Sequence, residues 1–428
     1  MRPGQLSAEM KKKQLLLDGL SKQFKQAFAQ GRFEPALQYA LQACRVAPQM
    51  AVGRSDAAVC LVKLERWVEA IEQAQMALRL GPPSLATLDA LAHAHGGLLQ
   101  WDEVQRWGMQ ALLQRQQQFG GPPPLPHTPA PLPPPPSEAT REHNIIAFAL
   151  FGDSPKYCEA AVLNVLERER LYPHWTCHFY VDGSVPEHVL QRLNAPGSRV
   201  FRVTPEQERW PGPMWRFLAY DTPGLHRVVF RDADSVITER EVSAVDEWVA
   251  SGQRFHHMRD AATHTELLLA GLWGCTGGAL PPMADLMARF LSKPVASRHF
   301  ADQFFLRELV WPYARESLLQ HDSVFGFMDG KSFPHGPRQD DFHVGWAEGG
   351  AIIEIQTAVP DGEPLTWTVY DTSPEQRLVC SYPGVSQAGV VRTHLPRRWA
   401  RALAAGEMVV RTRATEADAG LAKPASTP

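Results

Sequence analysis

The sequence predicts an α/β protein built in series. An all-α array of helical repeats is joined by a Pro-rich linker to a Rossmann-like, mixed α/β domain, and a small β-rich extension follows. Three observations carry this. Residues 15–118 are self-similar at a spacing of 34 residues. Prolines then crowd between residues 120 and 136. From Asn144 onward, short apolar runs alternate with helical patterns, the signature of a largely parallel, doubly wound sheet. The expected segments are repeats over 15–118, linker over 119–141, α/β domain over 142–345, β-rich extension over 346–415 and a disordered tail over 416–428.

In the repeats, Phe33, Trp67 and Trp101 share one column of the period, and Ala43, Ala77 and Ala111 share another. Ala36, Ala70 and Val104 form a third, while Ala58 is matched by Ala92 and Pro48 by Pro82. Small residues let paired helices approach, aromatics fill the space between them, and proline ends the second helix of each pair. Period and columns resemble tetratricopeptide repeats, for which three units are about the smallest stable stack. Such an array offers a concave groove to a protein partner or packs on its neighbour. The proline block favours polyproline II and acts as a semi-rigid spacer at a domain boundary.

Beyond it, Ile145–Phe151 reads as a strand ending in the turn Gly152-Asp153-Ser154, with a helix expected over 157–169. Further strands are expected over 176–182 and 198–203, with a helix over 185–193 between them and a short helix over 214–220. Val228-Val-Phe230 reads as a buried strand. Then come a helix over 242–250, a strand over 254–260, an apolar but glycine-studded run over 267–278, and helices over 283–291 and from Asp302 to Trp311. Short strands over 351–356, 366–370 and 377–381 form the extension.

The formal charge of −3 over 428 residues implies no nucleic-acid partner. No apolar run approaches the length of a membrane span. The cysteines at 44, 60, 158, 177, 275 and 380 show no clustered spacing, so they read as buried thiols in a reducing, cytoplasmic setting rather than as a zinc site or disulfide framework.

The chemistry concentrates after the fourth strand, in Arg231-Asp-Ala-Asp-Ser235. In extended backbone, residues two apart point the same way, so Asp232 and Asp234 can face one cleft. Carboxylates that close repel unless a cation lies between them. Hard oxygen ligands suit Mg2+ or Mn2+, and substrate phosphates can complete the coordination. In open α/β sheets, ligands bind beyond the carboxyl ends of the strands, where this pair falls. Arg231 and Arg216 are candidates to grip phosphates bidentately. A bare D-x-D pattern arises by chance in a chain this long, so the preceding strand and the later motifs give it weight.

Residues 144 to about 345 resemble a GT-A type glycosyltransferase, the nucleotide-sugar-dependent class with a D-x-D metal motif. After the acidic pair come the Gly-rich Leu269-Ala-Gly-Leu-Trp-Gly274, Asp302-Gln303 at a helix start, and His321-Asp-Ser323. Phe255–Asp260 with His264 is similar to a stretch in bacterial members that also carry tetratricopeptide repeats. The resemblance implies transfer from a nucleoside diphosphate sugar to a glycan or protein acceptor, with Asp234 on the metal and Asp232 on the metal or the ribose. It also implies a third metal ligand late in the domain, His321 by order or Asp322 in its place. Asp302 is either the catalytic base or a first-turn acid, and Asp260 is a second carboxylate candidate. Gln303 and Gly271 fall on the donor side. Trp273 is either a wall against the sugar or core. His256, His257 and His264 lack metal-ligand spacing and read as acceptor-side or structural. The chain lacks the H-x-x-G-x-x-K-P-W ending of one large retaining family, which leaves the stereochemistry open. The competing reading is a tetratricopeptide adaptor with an inactive GT-A-like domain. A metal-dependent phosphohydrolase fits less well, because two-metal hydrolases need a denser cluster of acids and histidines.

Overall fold

The computed structural model describes residues 8–295, 297–336 and 342–415. The expected disordered tail over 416–428 lies outside the described residues. The chain divides into two compact units: residues up to 135 with 239–344, and residues 136–238 with 345 onward.

The repeats are six consecutive helices: α1 (Ala8–Ala29), α2 (Phe33–Val46), α3 (Ala51–Lys63), α4 (Trp67–Leu80), α5 (Leu85–Gly97) and α6 (Trp101–Phe119). Phe33, Trp67 and Trp101 each open the second helix of a pair, and the column Ala36, Ala70 and Val104 is fully buried. The 34-residue register also sets the turns. Gly31, Glu65 and Leu99 all take left-handed backbone, with φ of +70°, +57° and +56°. Only the first uses the residue that tolerates this conformation without cost.

The next elements are β1 (Asn144–Leu150), α7 (Pro155–Leu171), β2 (Thr176–Val181), α8 (Glu187–Leu193), β3 (Ser198–Arg202) and β4 (Arg227–Arg231). The expected short helix before β4 is a 3-10 helix, Gly212–Asp221. These strands lie parallel in the order β3-β2-β1-β4. β1, β2 and β4 are almost wholly buried and read as near-continuous apolar runs, as parallel strands do. The chain winds outward from β1 to β3 and then returns to the other side of β1. The winding direction therefore switches between β1 and β4.

The chain continues with α9 (Glu239–Ser251), β5 (Phe255–Arg259), β6 (Leu272–Thr276), α10 (Met283–Leu291), α11 (Ala301–Phe305), α12 (Trp311–Ala314) and β7 (Leu318–Asp322). β5 pairs antiparallel with β6 and parallel with β7. A π turn, Leu306–Val310, links α11 to α12, so the helix expected from Asp302 to Trp311 is continuous but locally widened. The repeats belong to this same unit. Arg115 on α6 pairs with Asp89 at 2.7 Å and Glu266 at 3.2 Å, and Trp311 donates to Gln116 at 2.6 Å. The proline segment is also tied down: Leu125 exchanges hydrogen bonds with the Tyr313 hydroxyl, and the Gly278 carbonyl accepts from Ala130 N–H at 3.0 Å.

The extension comprises β8 (Ala351–Gln356), β9 (Pro364–Asp371), β10 (Leu378–Val385), β11 (Val390–Leu395), α13 (Arg397–Ala404) and β12 (Met408–Ala414). Its strands form antiparallel sheets, β10-β9-β12 and β11-β8. It is fastened to α7 through Glu159. That fully buried carboxylate takes both Arg192 nitrogens at 2.8 Å and the Tyr382 hydroxyl at 2.6 Å. All six cysteines are buried free thiols. Among the described residues, no helix is long and apolar enough to cross a membrane.

Candidate functional site

The switch in winding falls at the carboxyl ends of β1 and β4, the place where the crevice of a doubly wound sheet receives ligands. One wall is the turn after β4, from Asp232 to Ser235. The other is the first turn of α7, where Pro155 occupies the first position and Ser154 caps without a side-chain hydrogen bond. The acidic pair enters this crevice with two different environments. Asp232 is half exposed, at 50% of its side chain, and is held by Arg216, whose own side chain is only 4% exposed. Arg216 also donates to the Arg231 carbonyl at 2.9 Å, so its guanidinium is built into the base of the turn. Asp234 is 17% exposed and faces Lys156 at 3.3 Å.

Burial pushes the Asp234 carboxyl above its ordinary value, and the charge of Asp232 pushes the same way, while Lys156 opposes both. Burial pulls the Lys156 ammonium down, but Asp234 and then Tyr157 more than reverse this, so it stays firmly charged. Arg231 is buried, with a nitrogen on the Phe230 carbonyl at 2.8 Å.

Two features that the sequence did not disclose fix the acidic turn. Asn164, fully buried on α7, donates to the Ser235 carbonyl at 2.7 Å and accepts from Ile237 N–H at 2.9 Å. Residues 347–349 form a strap from the start of the extension. Ser235 bridges to Ala347, and Gly349 N–H donates to the Asp234 carbonyl at 3.1 Å. An Asn inside the small and apolar run Ala160–Val165 was the one signal available for the first.

The other sequence candidates lie in the repeat-bearing unit. Gln303 is a bracket: its amide accepts from Ala270 N–H at 2.6 Å and donates to the Leu268 carbonyl at 2.8 Å. It thereby sets the loop leading to Gly271 and to Trp273, which is fully buried in β6. Asp302 is buried at the start of α11 and accepts from Gln303 N–H at 2.9 Å. Asp260 is fully committed. It takes Arg240 on both oxygens, at 2.9 and 3.0 Å, together with the Ser323 hydroxyl at 2.5 Å and Val344 N–H at 2.9 Å. A buried, ion-paired carboxylate so saturated is an anchor for the end of β5.

His321 is buried with both ring nitrogens engaged, one by His256 at 2.9 Å and the other by Glu247 at 3.0 Å. Burial lowers its basicity, and Glu247 partly restores it. In this arrangement it has no lone pair for a metal. Asp322, its substitute by order, caps the following loop, accepting from Val324 and Phe325 N–H at 2.9 and 2.7 Å. His257 accepts from Leu269 N–H at 2.9 Å, and His264 accepts from Asp260 N–H at 2.9 Å. Among the described residues no group of three or more His, Cys, Asp or Glu side chains is arranged to hold a metal ion. The hard oxygens of Asp232 and Asp234 fit a divalent cation whose remaining shell is water, or water and substrate phosphates.

The chain matches no protein-family model and no curated protein. Among solved structures it is similar to the second tetratricopeptide domain of human RPAP3, solved by NMR with an HSP70 peptide, at 16% identity and TM-score 0.23 over 24% of this chain and 84% of that one. It is also similar to a mutant O-GlcNAc transferase of Thermobaculum terrenum, at 13% identity and TM-score 0.29 over 51% of this chain. The chain spans 46% of that transferase, less than half its length.

Proposed function

We propose that this chain is a divalent-metal-dependent glycosyltransferase of the GT-A kind, moving a sugar from a nucleoside diphosphate sugar to a glycan or protein acceptor. One observation carries the reading. Two carboxylates, Asp232 and Asp234, stand just beyond β4 at the switch point of a parallel sheet, and Asp234 faces Lys156 in the first turn of α7. Nucleotides bind at such points because strand ends and helix N-termini present unpaired N–H groups to phosphate.

Each residue then has a task. Asp232 and Asp234 hold Mn2+ or Mg2+, which when bound supplies Lewis-acid stabilisation of the leaving diphosphate. Arg216 holds Asp232 in place through its ion pair. Asn164 and the strap at Ala347–Gly349 hold the turn rigid, so that the carboxylates need no reorganisation when the donor arrives. In the repeat-bearing unit, Gln303 shapes the Gly271 loop, and Asp302 is our candidate for the base that would take the acceptor proton.

The repeats support a role in recruiting an acceptor or partner. Between α1, α2 and α3 lies a groove of about 180 Å³, floored by Gly53 and walled by Leu17, Phe24 and Met50. Among the described residues its charged lining is Asp18 and Asp56, with no Lys or Arg. This groove is also what favours the adaptor reading. The deciding experiment is a panel of nucleotide sugars assayed for donor hydrolysis with Mn2+ and with EDTA. Metal-dependent hydrolysis of one donor is expected. Hydrolysis of none, together with undiminished binding of a partner peptide to the repeats, would favour the adaptor.

A further inference from the structure

The two carboxylates of the crevice are each matched by a cation, and the two cations are unlike. Arg216 is 4% exposed and is shared between Asp232 and the Arg231 carbonyl, so it is part of the framework. Lys156 is 28% exposed and faces Asp234 at 3.3 Å, with the Tyr157 hydroxyl at 3.4 Å and the Tyr157 ring 4.8 Å below its ammonium. The carbonyl oxygen of Lys156 packs so tightly on Gly349 that a Cβ there would lie 1.8 Å from it. Its side chain, by contrast, is a flexible stem reaching to the solvent edge of the crevice. A lysine ammonium is a point charge that moves with little geometric penalty, unlike a bidentate guanidinium.

We propose that Lys156 is the exchangeable cation of this site. It neutralises Asp234 in the ligand-free protein, competes with a divalent ion for that carboxylate, and passes to the donor diphosphate when the ion binds. The proposal rests on the glycosyltransferase reading. It assigns Lys156 a binding role in addition to that of the acidic pair. Its position in the first turn of α7 fits the second half of the exchange, since a phosphate meeting that turn also meets the helix N-terminus.

The test uses the full chain and two probes, Mn2+ alone and pyrophosphate with saturating Mn2+. Mn2+ binding is followed by electron paramagnetic resonance and pyrophosphate binding by calorimetry, on wild type, Lys156→Met and Lys156→Arg. Lys156→Met should bind Mn2+ about tenfold more tightly, since its competitor is gone, and pyrophosphate about tenfold more weakly. Lys156→Arg should sit near wild type for both, which separates the charge from any loss of packing. Unchanged Mn2+ affinity in Lys156→Met, with wild type binding both probes, overturns the exchange while leaving the glycosyltransferase reading intact. Failure of wild type and both variants to bind Mn2+, alone or with any nucleotide sugar, overturns both.

Discussion

Asp234 concentrates the physics of the crevice at the scale of one residue. Its carboxylate is unfavourable to the fold on balance, because burial and Asp232 raise its proton affinity more than Lys156 lowers it. A carboxyl raised in this way contributes least once it is ionised, so stability falls as pH rises from the ordinary value of 3.8 through the raised one. Asp234→Asn should therefore melt at or above wild type at neutral pH without metal. Donor hydrolysis should fall at least about a hundredfold, the scale of losing one preorganised group worth about 3 kcal/mol at a developing charge. Near-wild-type turnover would remove the acidic pair from the chemistry. His178 makes the opposite kind of prediction. It is buried in β2 against Phe201, neither ring nitrogen has a hydrogen-bond partner, and burial followed by Arg199 lowers its pKa to about 4. A histidine held neutral in the fold costs nothing above its ordinary value of 6.5 and progressively more below it, as the unfolded chain gains protons the folded one refuses. The loss should reach about 2 kcal/mol at pH 5. His178→Phe should flatten the fall in melting temperature between pH 6.5 and 5, and an unchanged slope would show that acid lability lies elsewhere.

At the scale of elements, periodicity was legible and irregularity was not. The six helices and the strands β1 to β4 follow from spacings of apolar residues, which a linear sequence displays directly. Gln303 and Asn164 do their work on backbone atoms 33 to 73 residues away, and nothing local marks such a partner. The same holds for His321: its order in the chain suggested a ligand, but β5 and α9 bring His256 and Glu247 to its two nitrogens. The repeat turns give an intermediate case. Their left-handed residues keep the 34-residue register, yet Glu65 and Leu99 replace the glycine of the first turn. Leu99 is more than half exposed, so its side chain contributes little packing to offset the strained backbone. Leu99→Gly should stabilise the protein by about 1 kcal/mol, visible as a higher urea midpoint with unchanged slope. A lower midpoint would mean that the gain in unfolded-state freedom outweighs the relief.

For the whole molecule, the sequence left the extension without a role, because its short strands carry no motif. The structure gives it one within its own compact unit. Tyr382 completes the partners of buried Glu159 on α7, and the strap preceding β8 reaches both walls of the crevice. Gly349 is the junction. It donates to the Asp234 carbonyl at 3.1 Å, and an added Cβ would fall 1.8 Å from the Lys156 carbonyl oxygen, well inside contact distance. Backbone on both sides leaves no flexible side chain to yield, so Gly349→Ala must push the strap away from α7, from the acidic turn, or from both. Overpacking of this kind costs roughly 1–3 kcal/mol. Because Lys156 and Asp234 move with their backbones, donor hydrolysis and pyrophosphate binding should fall together with the melting temperature. Gly350→Ala is the control. Its Cβ would meet only the Ala347 Cβ at 3.8 Å and an Arg397 nitrogen at 3.9 Å, ordinary contacts, so stability should stay within about 0.5 kcal/mol and binding should not change. Equal behaviour of the two variants would show that the extension does not hold the crevice. A Gly349→Ala protein that loses stability but binds pyrophosphate as wild type does would confine the strap to folding.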